Sequence, residues 1–216
     1  MSKSGRLITG NFSGVRNTLL TLFVILIFLP LNGKAQEEQA NAEPDSATTF
    51  TNLQAALKNP ELVYKLDLSK TGLREFPHEV YRFTNLRVLK LNHNRIKKIP
   101  ASIDSLHNLE ELYMSSNRME EIAPEFGNLS NLRILVISRN NLVIIPQTIG
   151  NLKKLEYADM WDNNLNMLPD EVGQIKDNLK TLDLRGILFE EEEHEHIKEL
   201  LPKTEIFLSP SCRCKN

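Results

Sequence analysis

The chain has 216 residues, room for one modest domain with tails. A net charge of −2 and a pI near 6.2 leave no basic footprint for a phosphate backbone, so nucleic acid is not an expected partner.

Residues 1–35 read as a signal peptide. Lys3, Arg6 and Arg16 form a basic leader, and Leu19 to Leu31 is a mostly apolar run of 13 residues. Gly33-Lys34-Ala35 places small residues at both positions that a signal peptidase inspects. A membrane span needs about 20 apolar residues, so contact with the membrane is expected only in transit. Cleavage after Ala35 would leave Gln36 at the mature end, with the protein exported to the periplasm, the cell surface or the medium. An uncleaved anchor is the alternative. No cysteine lies near the cleavage point, so a lipid anchor is not indicated. Residues 36–47 are acidic and polar with no apolar period, a flexible linker. In residues 48–61, Phe50, Leu53 and Leu57 stand at helical spacing before Pro60 and predict an N-terminal helical cap.

Residues 62–189 repeat every 23 residues. One copy reads Leu86, Leu89, Leu91, Asn94, Ile96, Ile99, Pro100, Ile103, Leu106. The columns return as Leu109, Leu112, Met114, Asn117, Met119, Ile122; as Leu132, Leu135, Ile137, Asn140, Leu142, Ile145, Pro146; and as Leu155, Ala158, Met160, Asn163, Leu165, Leu168, Pro169. Degenerate copies flank them, from Val63 to Pro77 and from Leu179 to Phe189, the last after an interval of 24. The pattern L-x-x-L-x-L-x-x-N-x-L resembles the leucine-rich repeat family. With its leader and caps the chain is similar to small exported bacterial members, over about three quarters of its length.

The physics of the columns agrees with that resemblance. Leu-x-Leu alternation suits a short strand with one buried face, and a single unit cannot bury its apolar residues alone. Coils must therefore stack, giving an α/β solenoid: a horseshoe of about six coils with a parallel concave sheet and helical caps. An amide carries donors and an acceptor, so the Asn column can bridge backbone groups between coils. Thr71 does part of this in the first copy and Ile187 none of it in the last. Proline sets φ where the chain leaves the turn, although Ala123 takes that column in the copy from Leu109.

Residues 190–216 predict a C-terminal cap: a helix from Glu190 to Leu201, then a strand around Ile206, Phe207 and Leu208. Glu192 and His196 share a helix face, but the segment is not H-E-x-x-H and reads as a solvated acidic helix start, so no metal is expected. For Cys212 and Cys214 three states stay open: a bridge across a turn, free or intermolecular thiols, and a metal site. Asn128-Leu129-Ser130 fits a glycosylation sequon. No nucleophile elbow, phosphate loop or carboxylate pair in a defined context occurs. Neither catalysis, a cofactor nor a small-molecule substrate is expected.

Function is therefore sought between the leucines, where the third, fifth, seventh and eighth positions should point away from the core. Tyr113, Ile134, Val136, Tyr157 and Trp161 then fall in adjacent coils as one patch, bordered by Arg139, Asp159 and Asp162. Aromatic residues with an Arg and a polar rim are what protein interfaces concentrate at their centres. Leucine-rich repeat families serve as binding scaffolds, so the resemblance implies a module that binds a protein or peptide on its concave face. The alternatives are an envelope spacer without a specific ligand, or a tethered or intracellular signalling scaffold if the leader stays on.

Overall fold

A computed structural model describes residues 48–211; the leader, the linker, Cys212 and Cys214 lie outside the described residues. In chain order the strands are β1 (Thr49–Phe50), β2 (Lys65–Asp67), β3 (Val88–Lys90), β4 (Lys98–Ile99), β5 (Glu111–Tyr113), β6 (Glu121–Ile122), β7 (Ile134–Val136), β8 (Tyr157–Asp159), β9 (Thr181–Leu184) and β10 (Glu205–Leu208). Among the described residues the α-helices are α1 (Leu53–Ala56) and α2 (Glu191–Leu200). Eight strands form one sheet in the order β1-β2-β3-β5-β7-β8-β9-β10, every pair parallel, and β4 pairs with β6 in a second. This is the α/β solenoid that stacked units require.

The middle residues Leu66, Leu89, Leu112, Leu135, Ala158 and Leu182 lie side by side and are buried. Opposite the sheet each coil closes with a short 3-10 turn: His78–Arg82, Ala101–Ser105, Pro124–Asn128, Gln147–Asn151 and Asp170–Ile175. The residue before each turn has φ from −64° to −80° whether it is Pro77, Pro100, Pro146, Pro169 or Ala123. Proline presets that backbone angle; alanine reaches it unaided.

The Asn column bridges coils through both ends of its amide. Asn140 Nδ2 donates to Met114 O (3.0 Å) in the preceding coil and to Ile137 O (2.9 Å) in its own, while Oδ1 accepts from Met119 N (3.0 Å). Asn94, Asn117 and Asn163 repeat the scheme. Thr71 donates to Leu68 O (2.6 Å), and Ile187 is buried with no amide to offer. One residue before each of these, Lys70, His93, Ser116, Arg139 and Asp162 hold φ between 55° and 61°, and Gly186 closes the column at 75°. A second amide column, unanticipated, precedes the strands: Asn85, Asn108, Asn131 and Asn178 each donate to a carbonyl one coil back.

The ends differ from the sequence reading in detail. Phe50 belongs to β1, beside Leu66, and not to a helix; pairing with β2 satisfies backbone groups that a single helical turn would leave open. Only Leu53–Ala56 is α-helical there, with Asn52 Oδ1 accepting from Ala55 N (3.0 Å). The acidic start of α2 is not wholly solvated. Glu193 Oε1 accepts from Leu168 N (2.9 Å), and His194 is buried edge-on to Phe189, its Nε2 without a partner among the described residues. His196 instead meets Asp170 at 2.8 Å, so the two imidazoles do not converge.

Candidate functional site

The core-facing residues of β5, β7, β8 and β9 are buried leucines and an alanine, so the alternate residues stand on the outer face of the sheet. Register sets them in two rows. Glu111, Ile134, Tyr157 and Thr181 form one, and Tyr113, Val136, Asp159 and Asp183 the other. Tyr157 is exposed, while Tyr113, Ile134, Val136 and Asp159 are half-buried. Met160 takes the core and Trp161, next in sequence, lies outside it.

Trp161 is half-buried, where an open position was expected. The exposed Arg139, one coil back, lays its guanidinium 4.4 Å from the ring centroid. On the C-terminal side Gly186 lies so near that a Cβ there would meet Trp161 Nε1 at 3.2 Å. Asp162 is exposed at the rim, its amide donating to Arg185 O (2.8 Å).

A polar line runs beside these rings. Ser115 Oγ and Ser138 Oγ are 3.1 Å apart, Ser138 Oγ donates to Asp159 Oδ2 (2.8 Å), and Asp159 Oδ1 accepts from Trp161 N (3.0 Å). Ser138, expected to face outward, is buried because this network and its larger neighbours close over it. Asp183, also expected to face outward, is buried under Arg185. The guanidinium donates from Nε to Oδ1 (3.0 Å) and from Nη2 to Oδ2 (2.6 Å). Burial works to raise the Asp183 carboxyl, yet Arg185 holds it below the usual aspartate range. Burial, a hydrogen bond to Glu111 (2.8 Å) and the Glu111 charge push the Tyr113 phenol up to about 12.

One contributor, Phe207, lies past the repeats, and Arg185, the seventh position of the last copy, joins it to them. Arg185 also covers the ring of Phe207, 5.4 Å from its centroid, and Phe207 stands beside Asp183 in the β10–β9 register. Alternation in Ile206, Phe207 and Leu208 was the available signal, but only pairing with β9 shows that the face continues past the last repeat. Acceptors, π faces and apolar edges in this arrangement suit recognition of a surface. Among the described residues no group of three or more His, Cys, Asp or Glu is placed to hold a metal ion.

Comparison with known proteins agrees with this architecture. One family model, described as leucine rich repeat, matches residues 61–119, and a second, leucine rich repeats in two copies, matches 107–154. The chain is a leucine-rich repeat protein. This leucine-rich repeat protein is similar in structure to an internalin from Listeria monocytogenes: 22% identity, TM-score 0.62, 72% of this chain and 44% of the internalin covered. A plant peptide hormone receptor, RGFR1, in complex with RGF2, is 26% identical with a TM-score of 0.62, over 76% of this chain and 27% of the receptor. A leucine-rich repeat protein of Leptospira interrogans is 23% identical, with a TM-score of 0.44, over 74% of this chain and 58% of its own. The chain thus spans less than half of the internalin and about a quarter of the receptor. No curated protein matches it by sequence. Leucine-rich repeat proteins are typically non-enzymatic protein-interaction modules.

Proposed function

We propose that this leucine-rich repeat protein is an exported recognition module that binds a protein or peptide across the outer face of its sheet. The reading rests on one observation: Tyr113, Ile134, Val136 and Tyr157 stand in register on that face, and Trp161 follows two residues after β8 with Arg139 over its ring. Tyr113, Ile134, Val136 and Tyr157 come from β5, β7 and β8, so parallel strands fix their spacing, and the bond from Trp161 N to Asp159 Oδ1 ties the tryptophan to the end of β8. Asp159 and Asp162 supply acceptors at the border. The plant receptor in complex with RGF2 supports a peptide as the class of ligand. The leader in residues 1–35 supports export.

The test is an affinity capture from the native host with wild-type and Trp161→Ala protein side by side. A partner retained by the wild type should bind the variant at least about tenfold more weakly. The melting temperature should barely change, because Trp161 lies outside the core. Equal binding by the two proteins removes this face as the site.

A further inference from the structure

Charges on this protein are paired across coils in one column and left unpaired in another. Immediately before the strands, Arg87, Glu110, Arg133, Glu156 and Lys180 alternate in sign. Arg133 and Lys180 both meet Glu156, at 2.8 and 2.5 Å, and Arg87 lies 3.8 Å from Glu110. On the edge where the chain leaves the Asn column the order is different. Arg95 and Arg118 hold the same column in adjacent coils, tied by the bond from Arg118 N to Ile96 O (3.0 Å). Neither guanidinium makes an ion pair among the described residues. Arg74 and Lys97 share the next column and are likewise unpaired. These cations, with Lys98, line an open cavity of about 890 Å³ whose wall includes Phe76 and Tyr81, rings stacked 6.0 Å apart. Five cations there face Glu75, Glu120 and Glu121, so the cavity is net positive on a chain of net charge −2.

Along the same edge the character changes. The column of Lys97 and Glu120 continues as Val143, and that of Lys98 and Glu121 as Ile144 and Met167. Val143 is 40% exposed, Ile144 70% and Met167 61%, an apolar strip in water. The bond from Asn166 N to Val143 O (3.3 Å) keeps these coils in step with the rest. Like charges about one coil apart, roughly 4.8 Å, repel unless an anion joins them.

We propose that this edge is a second docking surface, for an extended polypeptide segment that is acidic over Arg74, Arg95 and Arg118 and apolar over Val143, Ile144 and Met167. From the coil of Arg74 to that of Met167 are four intervals, roughly 19 Å, which about six extended residues span. A membrane fits less well. A flat anionic surface would press lipid phosphates against the three glutamates of the cavity, whereas a peptide can offer those carboxylates its amide hydrogens. This surface is separate from the outer sheet face, so either reading can fail alone.

The probe is a fluorescein-labelled peptide of about ten residues, glutamate-rich in one half and leucine- and valine-rich in the other, made in both orders. Anisotropy is read on the full chain at low salt. One of the two peptides should bind, with affinity falling steeply as salt rises. Arg95→Glu with Arg118→Glu should raise Kd at least about tenfold, and Ile144→Ser with Met167→Ser at least about threefold. Trp161→Ala should leave Kd unchanged. The pair Arg95→Gln and Arg118→Gln, with circular dichroism melts, separates lost charge from lost fold. Absence of binding by both peptides, indifference to both edge variants, or loss in Trp161→Ala overturns the proposal. Tighter binding to phosphatidylglycerol vesicles, abolished by the same edge variants, also overturns it by replacing the peptide with a membrane.

Discussion

A single amide in the Asn column does the work of two short hydrogen-bonding groups. Asn140 satisfies carbonyls in two coils and the amide of Met119, all in a buried setting. Replacing it with alanine removes the partner and leaves those groups dry, at a cost of about 1–3 kcal/mol for each stranded group. Thr71, exposed in the first copy, donates to Leu68 O and to the Asn94 Oδ1 that already accepts from Leu73 N. Urea melts should therefore show Asn140→Ala to be the more damaging change, and equal losses would contradict the ladder. The Asn column was readable because its chemistry needs one residue type at one spacing. The partial cover of Trp161 was not. It depends on Arg139, whose φ of 55° turns the backbone just where the guanidinium must reach forward one coil. Nothing in the spacing of 22 residues between the two signals that contact.

Short elements carry the packing between coils, and their spacing sets what each position tolerates. In the 3-10 turns Gly127, Gly150 and Gly173 share a column that Tyr81 and Asp104 occupy earlier, so the glycines belong to the later coils and not to the repeat itself. A Cβ on Gly150 would lie 2.4 Å from Glu171 O, a backbone atom, whereas one on Gly173 would come nearest the tip of Leu200 at 3.3 Å, with Leu200 O at an ordinary 3.6 Å. Gly150→Ala should thus force the turns apart and destabilise by about 1–3 kcal/mol, and Gly173→Ala should cost clearly less. Equal thermal shifts for the two would show that the turns are not held that tightly. Helix α2 repeats the lesson about legibility. His194 and Ile197 are the residues it buries, and its C-cap Leu201 continues their spacing, yet a run of glutamates hides that face in the composition. β1 was harder still, because a strand of two residues exists only by pairing with its neighbour, whereas the alternation of Ile206, Phe207 and Leu208 had marked β10.

Across the whole molecule, each coil contacts mainly its neighbours, so stability sums over interfaces and pH acts through the groups that join them. Hydrogen bonds from Lys180 and then Arg133 hold Glu156 below the ordinary 4.5, and Lys203 holds Asp177 below 3.8. For Asp183 burial opposes ionisation, but the bonds from Arg185 prevail and its carboxyl also lies below 3.8. A carboxylate depressed in the folded state stabilises it fully above the unfolded value, near 4, and that contribution disappears as the pH falls through the lower folded value. At the alkaline end the sign reverses. Burial first, then Glu111 and Tyr157, raise the Tyr113 phenol from 10.0 to about 12, so the folded state holds this proton more tightly. Its contribution is complete below 10 and is lost as the pH rises through about 12. The urea midpoint should accordingly be flat between about pH 5 and 9 and fall on either side. Asp183→Asn should lower the plateau and make the acid limb shallower, because the Arg185 bond then no longer depends on ionisation. Tyr113→Phe should do the same to the alkaline limb and leave the acid one alone. An acid limb unchanged in Asp183→Asn would show that the Arg185 clamp contributes nothing to holding β9 in the sheet.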